Sequence, residues 1–207
     1  LPIIYENESS KVNYDDLFKD MNLDKNQKYL FYPAQFWPHK NHRYIIDSID
    51  HIVNDKKIKD YKVIFCGFDK FNQKKFLIDL IKKKNLQNYF YFFDYLNDNQ
   101  IISLYLNSHC LVMPTLVGHY SLPLLEAFYF KLPSIFTSNL LDQSLKQHTW
   151  EINLDNKEDL LKKLEKINSD KDKKNLTLNN AHIFYKENFK LENIKENFEN
   201  IFLETKR

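Results

Sequence analysis

Residues 28–55 read KYLFYPAQFWPHKNHRYIIDSIDHIVND, and this stretch decides the fold. KYLFY (Lys28–Tyr32) is mostly apolar and aromatic and stops at Pro33, the pattern of a short buried strand. Ile45, Ile49, Ile52 and Val53 then recur at helical spacing, which predicts a helix over Asn41–Asp55. A strand, a polar loop and a helix in that order make one unit of an α/β domain.

The same unit repeats outward along the chain. YKVIFC (Tyr61–Cys66) reads as a second strand ended by Gly67, and Phe76, Leu77, Leu80 and Ile81 predict a helix over Asn72–Lys84. YFYFF (Tyr89–Phe93) is a third strand, and Asp98–Asn107 a helix. Cys110–Met113 is a fourth strand ended by Pro114, and the helix Ser121–Phe130 tolerates Pro123 in its first turn. Ser134–Thr137 is a fifth strand and Trp150–Ile152 a short sixth. The expected fold is α/β: a Rossmann-like parallel sheet of about six strands with helices on both faces. Ligands of such sheets bind at the C-terminal ends of the strands, where the strand order reverses. The remainder is helical, over Lys157–Ile167, Lys171–Asn188 and Leu191–Glu204, and a short helix at Tyr14–Met21 precedes the first strand.

At 207 residues the chain has room for one full domain, and 43% hydrophobic with 28% charged residues is a globular balance. A net charge of +2 gives no strong attraction to nucleic acid, so none is expected as a partner. Cys66 and Cys110 fit neither a disulfide framework nor a zinc motif; they read as buried thiols of a cytoplasmic protein. No apolar run approaches the roughly 20 residues of a membrane span. The chain opens on Leu1, which reads as a fragment or a processed product.

Three loops at strand ends have unusual content. Pro33–His42 combines aromatic rings, Lys40 and the entrance of a helix, whose unpaired N–H groups suit a phosphate. The alternative is a solvated lysine with Trp37 packed as a lid. Pro114–Glu126 holds Gly118, one of only two glycines, just before a helix on which Ser121 is a candidate N-cap. Glu126 interrupts the apolar run LPLLEAFYF, where a carboxylate requires a partner unless it faces solvent. His119 stands at the helix entrance, facing either a ligand or the protein. Asp94–Asn97 follows the third strand; its backbone would read a base edge and Tyr95 would stack, or it is an ordinary connecting loop. No Walker loop, GxGxxG or GxSxG motif is present. No set of ligands falls at metal spacing, and no metal or cofactor is expected.

At these loops the chain resembles family 4 of the retaining glycosyltransferases, which have the GT-B fold. YPAQFWPHKNH (Tyr32–His42) is similar to the opening strand and phosphate loop of that family's C-terminal domain, and VIFCG (Val63–Gly67) to its second strand. DYLNDNQIISLYLNSHCLVMPT (Asp94–Thr115) and GHYSLPLLEAFYFKLPSI (Gly118–Ile135) are similar to its third-loop-to-fourth-strand run and its signature helix. The resemblance implies that Glu126 takes the ribose of a nucleotide sugar and that Lys40 binds its phosphates. It implies that the turn of His119, Tyr120, Ser121 and Leu122 offers amides to the diphosphate, and that Asp94, Tyr95 and Leu96 contact the base. Gln35, with Phe36 and Trp37 beside it, lies near the position of a family arginine. Gly118 stands where the first signature glutamate is usual, and Asp94 where glycine is common.

On this resemblance residues 1–27 are a linker and N-terminal helix, and residues 28–190 a donor-binding domain that is the C-terminal half of a GT-B fold. Residues 191–207 are a helix crossing back to an absent N-terminal domain. That absent half would bind a carbohydrate or glycoconjugate acceptor, with peripheral membrane association of the full-length protein a further expectation. The implied activity is transfer of a hexose to a hydroxyl with retention, Lys40 and Glu126 serving catalysis, in polysaccharide or glycoconjugate biosynthesis. The isolated fragment is expected to be inactive. Two alternatives stand beside it: a nucleotide-binding or scaffolding module without catalysis, and a GT-B-shaped nucleotide-sugar epimerase.

Overall fold

The structure, a computed structural model, describes residues 12–118 and 121–189. Its strands are β1 (Lys28–Pro33), β2 (Tyr61–Cys66), β3 (Phe90–Phe93), β4 (Cys110–Met113), β5 (Ser134–Thr137) and β6 (Trp150–Ile152). The helices are α1 (Tyr14–Asp20), α2 (His42–Asp50), α3 (Gln73–Lys83), α4 (Asp98–Asn107), α5 (Leu122–Tyr129), α6 (Gln143–Lys146), α7 (Asp159–Ser169) and α8 (Lys171–Phe189). The strands form one sheet in the order β3-β2-β1-β4-β5-β6, and every pairing is parallel. The α/β Rossmann-like fold expected from the strand–helix alternation is present.

The chain builds outward from β1 through β2 to β3, then returns to the other side of β1 to lay down β4. Right-handed crossovers therefore place α2 and α3 on one face and α4 and α5 on the other. Adjacent residues of β1 report both faces, since side chains alternate along a strand. Phe31 packs edge-on against Tyr105 of α4 at 5.2 Å, and Tyr32 meets His42 of α2 at 4.8 Å. Tyr29, Leu30, Phe31 and Tyr32 are all fully buried. Each such side chain contributes about 1.5–3 kcal/mol through removal from water. The two tyrosine tips stay satisfied: the Tyr29 oxygen accepts from the Asp24 amide at 3.0 Å, and the Tyr32 hydroxyl donates to the Lys40 carbonyl at 2.8 Å.

Three local features differ from the sequence expectation. The helix predicted over Asn41–Asp55 begins at His42, because Asn41 sits in the left-handed region at φ 54°. It then widens into a π turn at His51–Asp55, where His51 Nδ1 lies 2.7 Å from Asp55 Oδ2. Helix α6 is a four-residue turn that no apolar periodicity announces; the Asp142 carboxylate opens it by accepting from the Ser144 amide at 2.9 Å.

The helix within residues 1–27 belongs to the domain body. Ser103 of α4 donates to the Tyr14 carbonyl at 2.6 Å, and the buried Phe18 ring meets Tyr29 edge-on at 5.5 Å. At the other end α8 lies against α5, with the Tyr129 and Tyr185 rings 5.4 Å apart. The expected linker Leu1–Glu8 and the expected crossing-back helix Leu191–Glu204 lie outside the described residues. Cys66 and Cys110 are free and buried, as their strand positions suggest. Among the described residues no helix is long and apolar enough to cross a membrane.

Candidate functional site

The strand order reverses between β1 and β4, and the loops leaving these two strands form the candidate site. The β1 loop is shaped first by close packing. A Cβ on Gly67 would lie 2.3 Å from the Ala34 carbonyl oxygen, so only glycine lets the end of β2 approach this loop. The Phe36 amide donates to the Phe68 carbonyl at 3.2 Å, and the Phe36 ring is fully buried, stacked on His42 at 4.9 Å. Pro38 then opens a 3-10 turn over Pro38–Lys40, which presents Lys40 at the edge of the sheet.

The β4 loop is tied to the β1 loop through one carbonyl. The His39 oxygen accepts from the Leu116 amide at 2.8 Å, and the Thr115 hydroxyl, 3.3 Å from that oxygen, donates to the Val117 carbonyl at 2.9 Å. Thr137, at the end of β5, donates to the Thr115 carbonyl at 2.8 Å. The chain then reaches Gly118 at φ 104°, where an added Cβ would meet nothing within 4 Å. Glycine is required there by its backbone angle, not by crowding. Ser121 occupies the N-cap position of α5, but its hydroxyl does not cap the helix; it lies 3.6 Å from Met113 Sδ. Among the described residues the first turn of α5 therefore has no side-chain cap.

These two loops enclose a cavity of about 270 Å³, lined by Pro33, Ala34, Gln35, Trp37 and Lys40 on one side and Met113, Ser121 and Pro123 on the other. Lys40 is the cation at its rim. Burial lowers the pKa of its amine, and no carboxylate among the described residues offsets this. A partly desolvated ammonium beside an uncapped helix entrance favours an anionic ligand.

Glu126 does not line this cavity. It lies on α5, 9% exposed, with a carboxylate oxygen 2.6 Å from the Tyr105 hydroxyl of α4, which donates to it. Burial raises its pKa, the Tyr105 bond opposes that rise, and Asp98 adds to it. The partner that an acidic residue in an apolar helix requires is thus a tyrosine, and neither solvent exposure nor a lysine. Asp94 is exposed and pairs with Lys74 of α3 at 2.5 Å. Tyr95 is 85% exposed, so its ring face is open, and Leu96 packs partly against the core.

The structure thus brings Gln35, Trp37, Lys40 and Ser121 to one cavity, with Gly118 and the exposed Leu122 on the loop and helix beside it. Phe36 is corrected: its ring belongs to the core, because His42, Phe65 and Phe92 surround it, and the residue is fully buried. His119 and Tyr120 lie outside the described residues. Sequence reading passed over Tyr32, Tyr105 and Thr115, whose hydroxyls hold the site together. A buried hydroxyl at a strand or helix position is the signal that marks them.

Comparison with known proteins sharpens this picture. A family model described as Glycosyl transferases group 1 matches residues 13–184. The chain belongs to this family. The match begins at α1, in keeping with the packing of that helix on the domain. No curated protein sequence matches the chain. Among solved structures, this group 1 domain is similar to Anabaena Alr3699/HepE in complex with UDP and glucose, with a TM-score of 0.77 and 13% identity. That match covers 95% of this chain and 53% of the other. A glycosyltransferase from Rickettsia africae is similar at TM-score 0.76 and 18% identity, over 96% and 53%. The C-terminal domain of a group 1 glycosyl transferase (LpcC) from Francisella tularensis is similar at 0.68 and 19%, over 86% and 94%. The glycosyltransferase chain thus spans about half the length of the HepE and Rickettsia proteins.

Proposed function

We propose that this glycosyltransferase chain is the donor-binding, C-terminal half of a retaining GT-B enzyme that transfers a hexose from a nucleoside diphosphate sugar to a hydroxyl acceptor. One observation carries the reading: Lys40 and the uncapped entrance of α5 line a single cavity at the reversal point of the sheet. A diphosphate leaving group develops negative charge as the sugar bond breaks, and a fixed cation with helix amides stabilises that charge without a metal. Tyr95 offers an open ring for the base. Glu126 serves the ribose from the second turn of α5, with Tyr105 sharing its carboxylate. HepE, a structural relative, was solved with UDP and with UDP-glucose, which supports a nucleotide sugar as ligand. The acceptor, a carbohydrate or glycoconjugate, belongs to a second domain of the full-length protein. A peripheral membrane location and a cytoplasmic address remain part of this proposal.

The test is calorimetric titration with uridine, guanosine and adenosine diphosphates, using the wild-type chain and the variants Lys40→Ala and Glu126→Gln. Removing one hydrogen bond to a charged group costs about 1.5–3 kcal/mol, so affinity should fall by roughly ten- to a hundredfold. Unchanged affinity in both variants rejects the site. A second reading, nucleotide binding without turnover, draws on Gly118, which brings no carboxylate to the sugar position. Release of free nucleoside diphosphate by the full-length protein separates the two.

A further inference from the structure

A second hollow lies away from the donor cleft. It is a groove of about 560 Å³ at the N-terminal edge of the sheet, where β6 begins and the α7–α8 corner turns. Five lysines line it: Lys146 at the end of α6, Lys163 and Lys166 on α7, and Lys173 and Lys174 on α8. Only two carboxylates, Glu151 and Asp170, stand among them. The whole chain carries a net charge of only +2, against a local excess of three lysines over carboxylates in this groove.

Those two carboxylates are already engaged. Glu151 lies 4.0 Å from Lys146, and Asp170 accepts from the Lys173 amide at 2.9 Å. Lys163 pairs with Asp159 at 3.6 Å. Lys166, Lys173 and Lys174 have no ion pair among the described residues. Lys166 closes the last turn of α7, where a cation suits the helix dipole. Lys173 and Lys174 stand in the first turn of α8, where a cation opposes the dipole, so helix stability does not explain them. Trp150, half-buried, supplies a flat apolar wall.

We propose that this groove is a second anion site, taking the phosphate chain of a polyphosphorylated small molecule. Three unanswered lysines exceed what one carboxylate or one orthophosphate requires, and they match the charge of a di- or triphosphate. Lysine binds phosphate as a point charge, and the volume lies in the range of small-ligand sites, roughly 300–1,000 Å³. The groove is concave with its indole set into the wall, which suits a small ligand and not a membrane surface. The bearer is a nucleotide, whose base stacks on Trp150, or a free oligophosphate. The site is independent of the donor cleft, since no residue lines both.

The test is titration of the chain with inorganic tripolyphosphate in a Lys40→Ala background, which isolates the groove from the donor cleft. Binding is expected to persist there. It is expected to fall at least tenfold in the triple variant Lys166→Gln, Lys173→Gln, Lys174→Gln, and to return when the same lysines become arginine. Orthophosphate should bind at least tenfold more weakly than tripolyphosphate. Tighter binding of ATP than of tripolyphosphate, with loss of that advantage in Trp150→Ala, assigns a nucleotide; equal binding assigns a free oligophosphate. The proposal is overturned if tripolyphosphate does not bind in the Lys40→Ala background. It is also overturned if the triple glutamine variant, helical by circular dichroism, binds as the wild type does. Lysine-dependent sedimentation with phosphatidylglycerol vesicles, without tripolyphosphate binding, would transfer the groove to a membrane role and overturn it equally.

Discussion

The Tyr105 hydroxyl lies 2.6 Å from a Glu126 carboxylate oxygen, joining α4 to α5 beneath the entrance of the proposed donor cleft. The bond answers an electrostatic difficulty that the sequence posed, a carboxylate inside an apolar helix. It also links the stability of the domain to pH.

Tyr105→Phe should destabilise the domain by about 1.5–3 kcal/mol near neutral pH, since it removes a hydrogen bond to a buried charge. Burial already raises the folded pKa of Glu126 above its ordinary value. The folded state therefore binds this proton more tightly than the unfolded chain, and the group's contribution declines as pH rises through the folded value. The loss in Tyr105→Phe should shrink on acidification towards pH 4. Urea unfolding at the two pH values checks this; an equal loss at both would show that the phenol acts only by packing.

His42 predicts the opposite slope. Burial holds its pKa down at about 3, against an ordinary 6.5, while its bond with the Ala34 backbone raises it and Lys40 lowers it further. Between those values the unfolded chain carries one proton more, so stability falls as pH decreases, by about 1.4 kcal/mol per unit. His109, lowered to about 4 by burial, adds a second slope over a narrower window. His42→Phe should flatten the stability profile between pH 6.5 and 4 by one proton, leaving the part due to His109, His148 and His182, whose pKa values burial also lowers. Denaturant midpoints across that range measure it.

Gly67→Ala should cost at least about 1–3 kcal/mol, the usual penalty for overpacking. Its methyl group would collide with the Ala34 carbonyl and the Gln35 Cα, and all three contacts are backbone. Because the displaced segment carries Gln35 and Lys40, nucleoside diphosphate affinity should fall as well. Thermal unfolding paired with titration tests both halves, and weaker stability with unaltered affinity would uncouple Gly67 from the cleft.

Gly118→Ala meets no atom, yet φ 104° is unfavourable for any residue with a Cβ. A cost of about 1–3 kcal/mol is expected from backbone strain alone. Chemical denaturation is the measurement; no change in midpoint would mean that the loop relaxes to another conformation.

The strands were legible because each is an apolar run closed by Pro, Gly or a polar turn; Cys110–Met113, Ser134–Thr137 and Trp150–Ile152 match their observed bounds. The location of the site followed from parallel order, which sends every strand's C-terminal end to one edge. What stayed hidden depends on contacts between elements distant in sequence. Nothing near Glu126 announces Tyr105, because their meeting requires α4 and α5 to share a face and a rotational setting. Phe36 sits in an outwardly polar loop, and only the packing of α2 against β2 draws its ring inward. Thr115 is an ordinary residue until the His39 carbonyl arrives beside it.

That carbonyl has a kinetic consequence. With the Leu116 amide donating to it at 2.8 Å, the two walls of the cleft are tied together before any ligand arrives. If the proposed donor site is correct, an incoming diphosphate would meet a preorganised receptor, and little affinity would be lost to ordering these segments. On the proposed function, association of a nucleoside diphosphate should then proceed in one fast phase set by the encounter itself.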